Sequence, residues 1–123
     1  MNTVKHNERK NYVKYDDSHY LLYLNEEKAE FTNEETGETS EGYSYAGNEA
    51  DGSTLIEAAG VTDENRRAKF VAGLIGNEFD MDAQVAILAN DGDTTEHAEE
   101  MERFKSYRTS CKAAVDELLG REL

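Results

Sequence analysis

The sequence predicts an α+β fold: a small antiparallel β-meander of three or four strands followed by three helices, the last one long. Three observations carry this reading. Between His19 and Glu57, short aromatic and aliphatic runs alternate with turn signals. Near Gly60 the apolar period changes from two to 3.6. The chain holds no proline, so no helix is broken from within.

The first fourteen residues are polar and aperiodic up to Tyr12. Residues 1–11 read as a mobile N-terminal tail and residues 12–120 as a single α+β domain. A short strand through Tyr12, Val13, Lys14 and Tyr15 opens the domain. Asp16, Asp17 and Ser18 form a turn, because each side chain can bond a nearby backbone N–H. His19 to Leu24 fits a strand. Asn25 to Lys28 reads as a tight turn, and Ala29 to Asn33 as the next strand with Phe31 inward. At Glu35-Thr36-Gly37 the glycine supplies the positive φ of a hairpin turn. Thr39 to Ala46 is the following strand, with Tyr43 and Tyr45 on one face by the two-residue period. After a loop from Gly47 to Gly52, Thr54 to Glu57 fits either a fourth strand or the lead-in to a helix.

Thr62 is the expected N-cap of the first helix, with Asp63 and Glu64 in its first turn, where the dipole favours anions. Phe70, Val71, Leu74 and Ile75 make its apolar stripe, and Gly76-Asn77 suggest its end. Asp80 caps a short helix through Met81, Val85 and Leu88, which Asn90 to Asp93 stop. Thr94 or Thr95 opens the longest helix, about 25 residues, to Leu119, with Gly120 as its stop. In it Met101, Phe104, Arg108, Cys111, Val115 and Leu118 recur at spacings of three and four. Packing on the chain's own core is the first reading of this seam. A coiled-coil-like dimer is the second, since sustained heptads are absent. The monomer is favoured, because Arg108 is costly in a dimer core and easily placed at a core edge. The expected core is Leu22, Phe31, Phe70, Leu74, Ile75, Val85, Leu88, Phe104, Val115 and Leu118.

Composition narrows the function. The 123 residues include 27 acids and 13 Lys plus Arg, for a net charge of −14. That argues against direct nucleic-acid binding and against adsorption to anionic membranes. No run approaches the roughly 18 apolar residues of a membrane span, and no apolar stretch follows Lys5, Arg9 and Lys10 as in a secretory signal. A soluble, cytoplasmic protein is expected. Leu, Ile, Val and Phe total 22 residues, so the core should be small, with seven tyrosines adding to it. Residues 15–60 carry twelve acids against Lys28 alone.

The sequence contains no recognisable catalytic, cofactor-binding or metal-ligating set. An EF-hand with Gly92 at its sixth position would place Ile87 and Ala89 as ligands. Asp80 and Asp82 alternate, but Val85 stands where glycine is required. Solvated loop charge explains these acids better than a weak divalent-cation site. His6, His19 and His97 lack zinc spacing. Cys111 sits on an apolar seam, where burial is the expected state rather than nucleophilic attack. No Gly-x-Ser-x-Gly elbow or phosphate-binding Gly-Lys-Ser/Thr loop occurs. Tyr43 and Tyr45 make an aromatic stripe whose first reading is sheet packing and whose second is partner binding. With Tyr107 and Arg108 they are the candidate partner-binding residues.

Two stretches carry a resemblance. One is Gly42-Tyr43-Ser44-Tyr45-Ala46-Gly47 followed by Asp51-Gly52-Ser53-Thr54-Leu55-Ile56-Glu57-Ala58. The other is Ser106-Tyr107-Arg108-Thr109-Ser110-Cys111-Lys112. Across most of residues 19–119 the chain resembles small, mostly uncharacterised proteins encoded in prophages of gut anaerobes, often near tail genes. The resemblance carries over no catalytic residue. It implies a phage or prophage accessory protein, or a virion-associated one. The expected function is therefore non-enzymatic assembly through protein–protein contacts. The alternative is an acidic nucleic-acid mimic that blocks a host DNA-binding protein, its carboxylates occupying a basic groove.

Overall fold

The computed structural model describes residues 1–90 and 93–123. The fold is α+β. Its strands are β1 (Asn2–His6), β2 (Tyr12–Asp16), β3 (His19–Leu22), β4 (Glu27–Thr32), β5 (Thr39–Gly47) and β6 (Thr54–Glu57). Its helices are α1 (Arg66–Glu78), α2 (Met81–Asn90) and α3 (Thr95–Leu119). The strands form two three-stranded sheets, β1-β5-β4 and β2-β3-β6. By compactness the chain divides into residues 1–55 with 118–123, here unit 1, and residues 56–117, here unit 2.

In unit 1, β5 is the centre of the first sheet. Its register with β4 runs from Glu27 opposite Ser44 to Thr32 opposite Thr39. The turn between them closes as the glycine signal implies. Gly37 takes φ +70°, and its N–H donates to Asn33 O at 2.7 Å. The other edge of β5 pairs with β1, from Asn2 opposite Gly47 to His6 opposite Tyr43. The segment expected to be a tail thus contributes an edge strand. Its signal is weak because only Val4 and His6 alternate against polar neighbours, so hydrogen bonding to β5 supplies the order that periodicity does not. The Asp16 turn forms as expected, with Asp16 Oδ1 accepting from the Ser18 N–H at 2.8 Å. The expected turn at Asn25–Lys28 is shorter: Asn25 takes φ 57° and β4 begins at Glu27.

The core of unit 1 is Leu22, Tyr23, Leu24, Tyr45 and Leu118. Phe31, expected inward, is only half-buried. It pairs with Ser40, on the face of β5 opposite Tyr45, and there its ring covers Gly42, where a Cβ would lie 2.3 Å from a ring carbon. The aromatic run thus divides between the two faces of the sheet.

In unit 2, α1 starts later than the sequence suggests. Its N-cap is Asn65, without a side-chain cap bond, and no acid lies in its first turn. Thr62 instead closes a turn before it: the Thr62 N–H donates to Asn65 Oδ1 at 2.6 Å, and the Asn65 N–H to Thr62 Oγ1 at 3.3 Å. The expected stripe of Phe70, Val71, Leu74 and Ile75 is buried. Asp80 caps α2 through the Ala83 N–H at 2.8 Å, and Thr94 caps α3 through the His97 N–H at 3.1 Å. Of the expected stop at Asn90 to Asp93, Asp91 and Gly92 lie outside the described residues.

Two core assignments in α2 are corrected. Val85 is 57% and Leu88 58% exposed, and Ile87 is the buried residue. Residues 81–89 are apolar almost all round, so spacing alone cannot choose the inward face. The α3 seam also shifts. Phe104, Cys111, Val115 and Leu118 are buried, but Tyr107 rather than Arg108 sits between Phe104 and Cys111 on the inward side. Arg108 is exposed and its guanidinium lies 5.9 Å from the centre of the Phe104 ring. Phe79, where α1 ends, stacks edge-on against Phe104 with ring centres 5.2 Å apart.

Candidate functional site

Unit 1 holds a polar-aromatic cluster. Tyr45, on β5, is fully buried and its hydroxyl donates to Glu26 Oε2 at 2.8 Å. The same oxygen of Tyr45 accepts the Lys10 N–H at 2.8 Å. Arg9 grips Glu26 with two nitrogens, Nη2 to Oε1 at 2.8 Å and Nε to Oε2 at 3.1 Å. The Arg121 side chain is 1% exposed, and Nη1 donates to Tyr23 O at 2.6 Å and Lys10 O at 3.0 Å. Its guanidinium lies 5.5 Å from the Tyr45 ring centre. Beside it Tyr23 donates to Asp51 Oδ2 at 2.8 Å, and the Ser53 N–H reaches Asp51 Oδ1 at 3.0 Å. His6 stands edge-on to Tyr23, with ring centres 5.8 Å apart, and Nε2 meets Asp51 O at 2.8 Å.

The electrostatics of this cluster sort its groups into fixed roles. Burial pushes the Tyr23 and Tyr45 hydroxyls up to about 12, helped by the Asp51 and Glu26 carboxylates respectively. Burial also works to raise Glu26 and Asp51. The hydrogen bonds from Arg9 and Tyr45 outweigh it at Glu26, and those from Ser53 and Tyr23 at Asp51, so both carboxyls lie below their usual range. Protonated phenols therefore donate to ionised carboxylates across the neutral range. Those four groups hold one another and are not set to exchange protons near pH 7.

Unit 2 has a different feature, an open groove of about 500 Å³ between its three helices. Ala68, Ala72 and Ile75 of α1 line one side, Met81 and Leu88 of α2 another, and Phe104, Arg108 and Lys112 of α3 the third. Met81 is 70% exposed, and with Val85 and Leu88 it makes an apolar stripe at i, i+4 and i+7 along α2. Arg67, also at the groove, forms a two-pronged pair with Asp116, Nε to Oδ1 at 2.6 Å and Nη2 to Oδ2 at 3.1 Å.

The four candidate partner-binding residues fall in separate units. In unit 1, Tyr45 is enclosed and offers no surface, whereas Tyr43 is half-buried with the Arg9 guanidinium 5.5 Å from its ring centre. In unit 2, Tyr107 is half-buried and its hydroxyl donates to Leu74 O at 3.2 Å. Arg108 stands at the groove. Sequence reasoning missed Arg121, since a lone charge after the last helix reads as terminal polarity. It also missed the groove, which depends on the face α2 turns outward.

Burial raises the Cys111 thiol above its ordinary value, which leaves it the less reactive protonated form. Each histidine faces its own partner: Asp51 O for His6, Asp16 for His19 and Asp93 for His97. Among the described residues no three His, Cys, Asp or Glu side chains converge to hold a metal ion. No described helix is long and apolar enough to cross a membrane. Compared with known proteins, the chain matches no family model, no curated sequence and no solved structure.

Proposed function

We propose that this chain is a phage or prophage accessory or assembly protein that works by protein–protein contact rather than catalysis, in the host cytoplasm or on the virion. The phage setting rests on the resemblance of residues 42–58 and 106–112. The observation that carries the contact function is the outward apolar stripe of Met81, Val85 and Leu88 beside the helical groove. Large side chains exposed at helical spacing beside a concavity are the usual mark of a surface awaiting a partner. The polar-aromatic cluster of unit 1 supports this reading, because its phenols and carboxylates are committed to one another.

The mimic reading keeps one observation of its own. Glu30 and Glu41 are exposed and directly opposed across β4 and β5, close to Glu34, Glu35 and Glu38 on the connecting turn. The experiment is affinity capture of the tagged chain from cells induced for the encoding prophage, at about 0.02 M and about 0.5 M NaCl. A phage structural or assembly protein retained at both salts supports the proposal. A host nucleic-acid-binding protein, held at low salt and lost at high salt, would replace it with the mimic.

A further inference from the structure

We propose that the groove of unit 2 receives an amphipathic helix of a partner protein whose flanks carry carboxylates. The inference rests on the contact reading above and names the chemistry of the partner. Shape comes first. Ala68 and Ala72 line the groove from α1, both exposed and one turn apart. A helix backbone can approach such a floor closely. Met81 and Leu88, each more than half exposed, supply apolar contacts along one wall.

Charge then selects the occupant. The whole chain carries −14, yet residues 66–77 hold three bases and no acid, and residues 103–112 hold four bases and no acid. These two runs supply Arg67, Arg108 and Lys112 to the groove. Arg67 is matched by Asp116. No ion pair engages Arg108 or Lys112 among the described residues. Two cations at the lip of an apolar trough, in a strongly acidic protein, complement an acidic amphipathic helix. A second copy of the chain seated symmetrically would set the two basic rims against each other, which costs binding energy. A nucleic acid would meet alanine and methionine in place of hydrogen-bonding groups, and the net charge would repel it.

The test is selection from a displayed library of helical peptides on the immobilised full chain. The library fixes an apolar stripe, varied among Leu, Ile, Met and Phe, and varies the flanks among Glu, Lys and Ala. The expected result is enrichment of Glu on one flank. Selected peptides should bind at least about tenfold more weakly to Met81→Glu, and the double variant Arg108→Glu, Lys112→Glu should reverse the preference to Lys. All three positions are exposed, and an unchanged circular dichroism melt for each variant shows that the fold is kept. Selection without Glu enrichment, a Glu preference that survives the double reversal, or no enriched peptide at all overturns the inference. None of these touches the broader contact function, which stands or falls on the capture from induced cells.

Discussion

Tyr45 shows how much one side chain does in this protein. Its ring fills the core of unit 1, and its hydroxyl links Glu26 to the Lys10 backbone. Tyr45→Phe keeps the ring, leaves the Lys10 N–H without its acceptor and takes one donor from Glu26, which Arg9 still holds, so we expect a loss of about 1–3 kcal/mol in urea denaturation. The charged neighbours make stability pH-dependent at both ends. Glu26 and Asp51 lie below their ordinary values of 4.5 and 3.8 when folded. The stability they add is complete above those values and is lost as pH falls through the lower folded ones. Glu26→Gln with Asp51→Asn should flatten the loss of stability below pH 4.5. At the alkaline end, Tyr23, Tyr45 and Tyr107 stand near 12 instead of 10. Raised phenols add stability that is whole below pH 10 and disappears toward 12. Phenolate absorbance should therefore show three of the seven tyrosines ionising last, together with unfolding. A single transition of all seven near 10 would contradict it. Little of this was legible beforehand. The sequence marks Tyr45 as aromatic on a strand, but nothing local announces that Arg121, 98 residues beyond Tyr23, will bond its carbonyl.

At the scale of elements, α1 allows a sharp comparison between two glycines. Ala is the better helix former by about 1 kcal/mol, and that preference should govern Gly76, where a Cβ meets open space. Gly76→Ala should raise the melting temperature. At Gly73 the same atom would lie 2.5 Å from Glu57 O and 3.1 Å from Ile56 Cδ1. Gly73→Ala should lower the melting temperature, since forced displacement costs about 1–3 kcal/mol. In α3, Phe104 is 3% exposed and stacked on Phe79, so Phe104→Ala should cost about 3–5 kcal/mol. A loss under about 1 kcal/mol would contradict its burial. Elements with one clear apolar face, such as α1 and most of α3, were readable from spacing. The α2 face was not, because apolar residues surround the helix and only the placement of its neighbours turns Ile87 inward. Tyr107 was overlooked in the α3 seam for a related reason. A spacing of three and then four fits it, and the chosen series took the other option at Arg108.

For the whole molecule, charge is the dominant sequence-level property. Of the bases near the N-terminus, Arg9 pairs with Glu26, whereas Lys5 reaches the Glu30 carbonyl and Lys10 lies over the Tyr23 ring. The exposed acids of β4, β5 and their turn therefore repel one another. Salt screens that repulsion over roughly 10 Å at about 0.1 M. We expect a higher melting temperature at about 0.5 M than at about 0.02 M NaCl. An unchanged or lower value would mean that those acids are already compensated. The apolar seam of α3 is buried within the chain at Phe104, Cys111, Val115 and Leu118, which leaves it nothing to offer a second copy. Sedimentation equilibrium of the chain alone should accordingly give 13.8 kDa. The α+β class was legible because the period changes once, near Gly60. The division of the strands into two sheets was not, because β1 joins β5 across about 40 residues of sequence and no local pattern encodes so distant a pairing.

Unit 1 is discontinuous: β1 to β5 lie before residue 56, while Leu118 and Arg121 come after unit 2. On a ribosome this separation becomes a delay. At about 5–20 residues per second, some 60 intervening residues take about 3–12 s to synthesise. During that interval the carbonyls of Lys10 and Tyr23 wait for a guanidinium that has not yet been made, with Tyr45 beside them lacking its cationic cover. Unit 2, contiguous in sequence, meets no such wait. The order of translation thus leaves unit 1 without its Arg121 hydrogen bonds until all of unit 2 has been made.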